Sequence, residues 1–355
     1  MVLLGISFTV QAQTTSALKE AVRSAKVSSD LLTVINDRGV IRQAVVGGLE
    51  RTNLFMTAGN TIAIDAVANS AGEGQALLQA LQALGLSKGI VSNQRVSGYL
   101  PIDRLGELRN IGVLKFARPS YKPIHTIGAV TSQGDTALRA NVARSTFSVD
   151  GTGVKVGVLS DSYNNLGGAP AGVASGDLPV GVEVLKDLSG TEPGIDEGRA
   201  MIELIHDVAP GSPQAFYTAF DGELDFAKGI RDLATAGCKV ITDDIIYFAE
   251  PFFQDGPIAQ AVDEVVNNGA TYFSSAGNSG RSSYQSAFRS TTPPTMPSGN
   301  IAAHDFGAGD KFQSLTIGAG QSVLISFQWD DPFFSVSGGA GAQTDMDLLV
   351  YVGGV

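Results

Sequence analysis

Apolar positions first fall into regular order at TIAIDAVA (61–68), a run that reads as a β-strand. GQALLQALQALG (74–85) then sets Leu77, Leu78, Leu81 and Leu84 on one helical face and stops on glycine. GIVSNQRVSGYLP (89–101) holds one or two strands. Ile102 to Asn110 is a short helix with Leu105 and Leu108 inward, and GVLKFAR (112–118) is a closing strand. The order β-α-β-β-α-β is that of a small split βαβ unit, an α+β domain over 13–125. Upstream the spacing is mixed, with a helix expected at 16–27 and a strand at 31–35. Residues 126–150 read as a linker, announced by Pro119 and Pro123 and containing the polar stretch TSQGD.

From residue 154 the pattern changes. VKVGVLS (154–160) is a nearly unbroken apolar strand, as expected where helices cover both faces of a sheet. Further strands are expected at VEVLKD (182–187), QAFYTA (214–219), CKVITDD (238–244) and ATYFSSAG (270–277). Helices alternate with them at 197–208, 223–237 and 257–269, and Gly-, Ala- and Pro-rich residues 163–180 form a loop. In the first of these helices Ala200, Met201, Leu204, Ile205 and Val208 make the expected buried side. The fold class over 151–290 is therefore α/β, a doubly wound parallel sheet with ligands at the C-terminal strand ends. Beyond it SLTIG, SVLISFQWD and DLLVYV alternate between Gly-rich turns, the signature of the start of an antiparallel β-sandwich over 291–355.

Composition adds boundaries. The 355 residues can hold two or three domains, and 43% apolar against 17% charged residues provide for a substantial core. A net charge of −11 without a basic stripe argues against a nucleic-acid partner. The single Cys238 can form no internal disulfide and reads as a small buried hydrophobe at a helix-to-strand junction. VLLGISFTV (2–10) followed by Val10-Gln11-Ala12 reads as the apolar region and cleavage site of a secretory signal, residues 1–12, so the expected location is secreted, periplasmic or cell-surface. Its basic leader is missing, so the expectation is a true start upstream; the competing reading is a buried N-terminal strand. No run reaches the ~18 apolar residues of a membrane span.

Three segments carry chemistry. KVGVLSDS (155–162) delivers Asp161 just past a hydrophobic strand, where a carboxylate can orient a general base or simply cap a turn. DEGRAMIELIHDVAPG (196–211) opens a helix with Asp196 as N-cap and Glu197 in the first turn, a favourable place for an acid in any helix and one from which Glu197 can act as a base. With an ordinary pKa of about 4.3 it would favour acidic pH unless burial raised that value. FSSAGNSG (273–280) turns through Gly277 and presents Asn278, whose amide can donate to a developing oxyanion. DGTG (150–153) precedes its strand instead of following it, so it is not a dinucleotide loop.

Together, and in this order, the three segments resemble the subtilisin-like serine peptidases, the subtilases. KVGVLSDS is similar to the family's strand and aspartate, EGRAM falls where the family has His-Gly-Thr-His-Val, HDVAPG matches the following Val-Ala-Pro, and FSSAGNSG matches the Ala-Ala-Gly-Asn oxyanion segment. The resemblance covers about 145–282. It implies a serine endopeptidase acting on protein or peptide substrates, with no cofactor, and a propeptide in the small N-terminal domain.

Three departures qualify it. Glu197 stands where the histidine should be; the related sedolisins use a glutamate there with an aspartate four residues on, but that position is Met201, so Asp161 would serve instead. The substrate-lining Ser-Leu-Gly falls at Asp244-Ile245-Ile246, where the acidic pair Asp243–Asp244 would change the pocket. The Gly-Thr-Ser-Met-Ala nucleophile segment is absent, and the expectation is that the serine lies beyond Val355 and that residues 1–355 alone are inactive. The rival from another class is a non-catalytic binding or cell-surface module on the same fold. His206, nine residues past Glu197, is ~13 Å away along the helix and reads as a helix C-terminal charge; His125 and His304 have no assigned role. No metal is assigned to the catalytic segments. Asp330, Asp331, Asp345 and Asp347 would make a calcium site only if their loops converge, and such acidic turns are commoner without metal.

Overall fold

The computed structural model describes residues 26–36, 45–46, 49–50, 55–121, 133–189, 193–280, 282–292, 302–317 and 323–351. The expected signal segment and nearly all of the helix at 16–27 lie outside the described residues, as does His125. The strand expected at 31–35 is instead part of helix α1 (Ser29–Asn36). Its buried Leu31 and Val34 stand three apart, a helical spacing that a short apolar run does not distinguish from a strand.

The N-terminal domain is built from β1 (Thr61–Ala68), α2 (Gly74–Ala83), β2 (Ser87–Ser92), β3 (Arg95–Pro101), a 3-10 helix (Ile102–Asn110) and β4 (Leu114–Pro119). The sheet runs β4–β1–β3–β2, every neighbour antiparallel, with Thr57–Ala58 adding a short strand beside β1. Ile62 lies opposite Leu100 and Ala66 opposite Ala117. One face is closed by Leu77, Leu78 and Leu81 of α2, by Leu105 and Leu108, and by Leu31 and Val34 of α1. The other face is polar, with Asp65, Arg95 and Ser97 all buried. Buried polar groups at that density require partners: Ser97 and Arg118 hold Asp65 within the domain, and Arg95 and Arg118 reach across a seam to Glu223 of the second domain at 2.8 and 3.1 Å.

Within the expected linker, residues 133–150 are not extended: Gly134–Ala137 forms one helical turn and Ala140–Phe147 helix α3. Arg144 holds it in place, pairing with Asp135 at 2.6 Å and donating to the carbonyl of Val208 at 2.8 Å.

The α/β domain contains β5 (Val156–Ser160), β6 (Glu183–Lys186), α4 (Glu197–Val208), β7 (Gln214–Thr218), α5 (Glu223–Thr235), β8 (Val240–Asp243), α6 (Pro257–Asn267) and β9 (Thr271–Ser274). The sheet is wholly parallel, in the order β9–β8–β5–β7–β6. Val158 and Phe216 pack with Ile202 of α4 on one face, while Leu159, Tyr217 and Ile241 pack under α5 and α6 on the other. Burial on both faces explains the unbroken apolar strand. The buried side of α4 is set by Gly198 and Ile202, with Leu204 and Ala200 exposed, so the expected face is rotated by one to two residues. The loop at 163–180 contains a helix, Ala169–Ser175, with Pro170 in its first turn and left-handed Gly176 closing it. No helix among the described residues is long and apolar enough to cross a membrane.

The sandwich strands expected after 291 do not form among the described residues. Residues 312–317 and 323–351 carry no strand, only the helix Phe334–Ser337, and Leu315, Leu324 and Leu348 are exposed. Alternation defines a face for a strand but provides no lateral partner, and without one a ladder cannot form. This region instead clings to the domains through side chains: the Gln328 amide donates to the carbonyls of Phe248 and Glu250, and Gln94 donates to that of Phe334.

Candidate active site

Strand order positions the site. The chain enters at β5 in the middle of the sheet, fills one side with β6 and β7, then crosses to the other side for β8 and β9. The C-terminal ends of β5, β7 and β8 thus flank a topological switch point, the place where open α/β sheets bind ligands. Asp161 follows β5, Asp244 follows β8, and the segment leading to Asn278 follows β9. Asp243 aligns with Leu159 and with Ser274, so the three segments leave the same sheet edge at matching height.

Asp161 is buried, and its carboxylate is fully engaged. It accepts the Ile195 N–H at 2.5 Å, the Glu197 N–H at 2.9 Å and the Ser162 hydroxyl at 3.0 Å. Its own carbonyl accepts the Thr218 hydroxyl at 2.6 Å, tying the ends of β5 and β7. Asp161 therefore caps α4 from outside the helix and fixes the backbone that carries Glu197. Asp196, expected as the N-cap, is in the left-handed region at φ 58° and turns its carboxylate the other way. It accepts the N–H groups of Asn165 and Leu166 at 2.7 and 3.0 Å and pairs with Arg199. Burial opposes this charge, but those donors and Ser162 outweigh it and hold Asp196 below the usual carboxylate range.

Glu197 begins α4 beside this bracket. Burial pushes its carboxyl up, Asp244 and Asp161 push it further by like charge, and a hydrogen bond to Asp244 completes a rise to about 7. Like charge beside it favours the protonated form of Glu197. The expected preference for acidic pH therefore gives way to a group poised near neutrality. Gly198 permits the tight packing here: a Cβ would stand 2.3 Å from the Phe216 ring and 2.8 Å from the Ser162 carbonyl oxygen.

The residues expected to line a substrate pocket separate. Asp244 belongs with Glu197. Ile245 is buried in the core layer under α5 and α6, and Ile246 is exposed. A chain leaving a strand alternates direction, so three consecutive residues cannot all face one pocket. Asp243 is buried and raised by that burial; it accepts the Ser274 hydroxyl at 3.0 Å and the Ile245 N–H at 3.3 Å. Asn278 is exposed, one residue after left-handed Gly277. It leaves a strand two removed from β5, a lateral offset of about 10 Å at ordinary strand spacing. The Glu197–Asp244 pairing escaped the sequence reading, although the Asp243–Asp244 doublet at a strand end was its available signal.

The remaining candidates lie elsewhere. His206 sits in the last turn of α4, at the opposite end from Glu197. His304 accepts the Arg289 N–H at Nδ1 at 3.1 Å and meets the Tyr284 hydroxyl through Nε2 at 2.9 Å; burial and Arg289 lower it. Cys238 is buried, and burial pushes its thiol up to about 11, so it is not a nucleophile at neutral pH. Asp331 accepts the N–H groups of Gln343 and Thr344 at 2.8 and 2.5 Å. Among the described residues no cluster of three or more His, Cys, Asp or Glu side chains is arranged to hold a metal ion.

No family model matches the chain, and no curated protein matches it. Among solved structures it is similar to fervidolysin from Fervidobacterium pennivorans, a keratinolytic enzyme related to subtilisin, at 16% identity and a TM-score of 0.38, covering 63% of this chain and 40% of that one. It is also similar to the epidermin leader peptide processing serine protease EpiP from Staphylococcus aureus, at 12% identity and a TM-score of 0.39, covering 62% and 61%. A mutant of EpiP gives 13% identity and a TM-score of 0.40. The chain thus spans less than two thirds of each of these structures. Likenesses of this size add nothing to the residue-level reading.

Proposed function

We propose that this chain carries the acid–base half of a subtilase-like peptide hydrolase, with Glu197 as the proton acceptor. The observation that carries the reading is the Glu197–Asp244 carboxyl pair at the switch point of the parallel sheet, with Glu197 raised to about 7. A base with that pKa is half ionised at neutral pH and also strong enough to receive a proton. In the reaction, ionised Glu197 takes the hydroxyl proton as the nucleophile attacks a peptide carbonyl, then returns it to the leaving amine. Asp244 lies against the glutamate and orients it, Asp161 holds the backbone N–H groups of residues 195 and 197, and the Asn278 amide donates to the oxyanion. The resemblance assigns the nucleophile to a serine within a Gly-Thr-Ser-Met-Ala segment, which residues 1–355 do not contain, so no serine of this chain is given that part.

The test is a pH–rate profile for peptide hydrolysis by protein that includes the serine segment. The expected result is an ionisation near 7 that disappears in Glu197→Gln together with the activity. An ionisation near 7 that survives the substitution overturns the assignment of the base. Peptide binding without hydrolysis favours the non-catalytic module.

A further inference from the structure

The segment from residue 326 onward makes its contacts with two bodies at once. On the α/β domain it holds the loop between β8 and α6. Residues 247–256 of that loop form no strand, so side chains meet their backbone groups instead. The Gln328 amide donates to the carbonyls of Phe248 and Glu250 at 2.9 and 3.0 Å and accepts the Phe252 N–H at 3.0 Å. Ser326 donates to the Phe248 carbonyl at 3.0 Å, and Gln254 accepts the Phe333 N–H at 2.8 Å.

On the N-terminal domain the same segment meets the turn between β2 and β3. Gln94 of that turn is 4% exposed and donates to the Phe334 carbonyl at 3.1 Å. The Lys115 ammonium of β4 stands 5.3 Å from the centre of the Phe334 ring. The helix Phe334–Ser337 closes on left-handed Gly338, φ 69°, where a Cβ would stand 2.9 Å from the Gln94 amide oxygen. Glycine there both ends the helix and leaves room for the glutamine. Gln94 adjoins Arg95, which reaches Glu223 across the seam. Asn93, Leu224, Gln260 and Val336 line one small cavity, where the N-terminal domain, the α/β domain and this segment meet.

We propose that residues 326–338 are a strap that holds the N-terminal domain against the α/β domain, fixed to one at Gln328 and to the other at Gln94. Among the described residues Gln328 bonds to the loop and makes no hydrogen bond with the N-terminal domain. Its effect on that domain therefore passes through the strap. Six positions separate Gln328 from Phe334, so anchoring the first keeps the second beside Gln94 and raises its effective concentration there. The strap thus adds a second route of attachment to the arginine pairs of the seam. Its hydrogen bonds join neutral amides, hydroxyls and carbonyls, whereas the seam works by charge.

Hydroxyl-radical footprinting of the 355-residue chain tests this. Tyr99 reports on the seam, being buried with its hydroxyl 3.3 Å from Asp221, and buried Met56 packs with it. Phe216, fully buried in the α/β core, reports on the fold of that domain. Gln328→Ala should speed oxidation of Tyr99 and Met56 about tenfold, the worth of a hydrogen bond or two, and leave Phe216 protected. Gln94→Ala, which frees the strap from its other end, should do the same. Because both substitutions release one element, the double variant should oxidise no faster than the faster single variant. Unchanged Tyr99 and Met56 in Gln328→Ala overturn the strap, as do effects that multiply in the double variant, since each glutamine would then act locally. Exposure of Phe216 along with Tyr99 also overturns it, because the segment would then be part of the α/β fold rather than a tie between domains.

Discussion

Two carboxyl clusters in this molecule are alike in composition and opposite in construction. At the seam, Asp65 and Glu223 meet two arginines; at the candidate site, Asp161, Glu197 and Asp244 meet one another and the N–H groups at the start of α4. The seam neutralises its charge with guanidiniums whose positions bind two domains together. The site neutralises Asp161 with backbone N–H groups, which cannot leave, and uses like charge to raise Glu197. Ion pairing makes a cluster adhesive, while backbone bracketing plus repulsion makes one reactive.

The sharpest way to break the comparison is Glu223→Ala. It strands Arg95 in a buried seam and leaves Arg118 only Asp65, and breaking a buried pair this way costs about 3–5 kcal/mol. Urea unfolding should show that loss chiefly as unfolding of the N-terminal domain. A loss below about 1 kcal/mol would mean the seam is hydrated in solution and worth no more than a surface ion pair. Next in size is Asp161→Ala, which leaves the Ile195 and Glu197 N–H groups without their acceptor. Hydrogen bonds to a charged group are worth about 1.5–3 kcal/mol each, so a cost of about 3 kcal/mol is expected, read from denaturant midpoints. If Asp161 acted only on catalysis, the midpoint would not move.

Much of this was legible in the sequence, but unevenly. The parallel α/β unit and the small α+β domain follow from period and order, because an apolar run bounded by turn residues has few other ways to fold. The positions of Asp161 and Glu197 were legible because strand ends and helix starts were. The partner of Glu197 was not: Asp244 is 47 residues away in the chain, and only the strand order that places β8 beside β5 brings them together. Arg95 and Arg118 were equally silent, since a charged residue in an alternating strand reads as solvent-facing until another domain covers it. The C-terminal alternation failed for the converse reason, presenting strand faces to which no strand pairs among the described residues.

Gly198→Ala sharpens the comparison on the packing side. The added methyl would meet the Phe216 ring and the Ser162 carbonyl, and overpacking of this kind costs about 1–3 kcal/mol. Because the clash pushes α4 away from β7, it should also separate Glu197 from Asp244. The measurement is the Glu197 titration by carboxyl NMR, which should fall below about 7 toward the ordinary value. A destabilised variant with an unmoved titration would show that the carboxyl pair travels with the helix.

The smallest change in stability and the most informative in pH belongs to Glu197→Gln. A protonated carboxyl and an amide offer Asp244 the same donor, so at pH 5 the variant should match the parent within about 1 kcal/mol. The difference emerges on titration. Folded Glu197 is raised to about 7 and the unfolded side chain is ordinary, so its contribution to stability is complete below about 4.3 and lost as pH rises through about 7. The parent should weaken across that window relative to Glu197→Gln, and the two curves should run parallel above it.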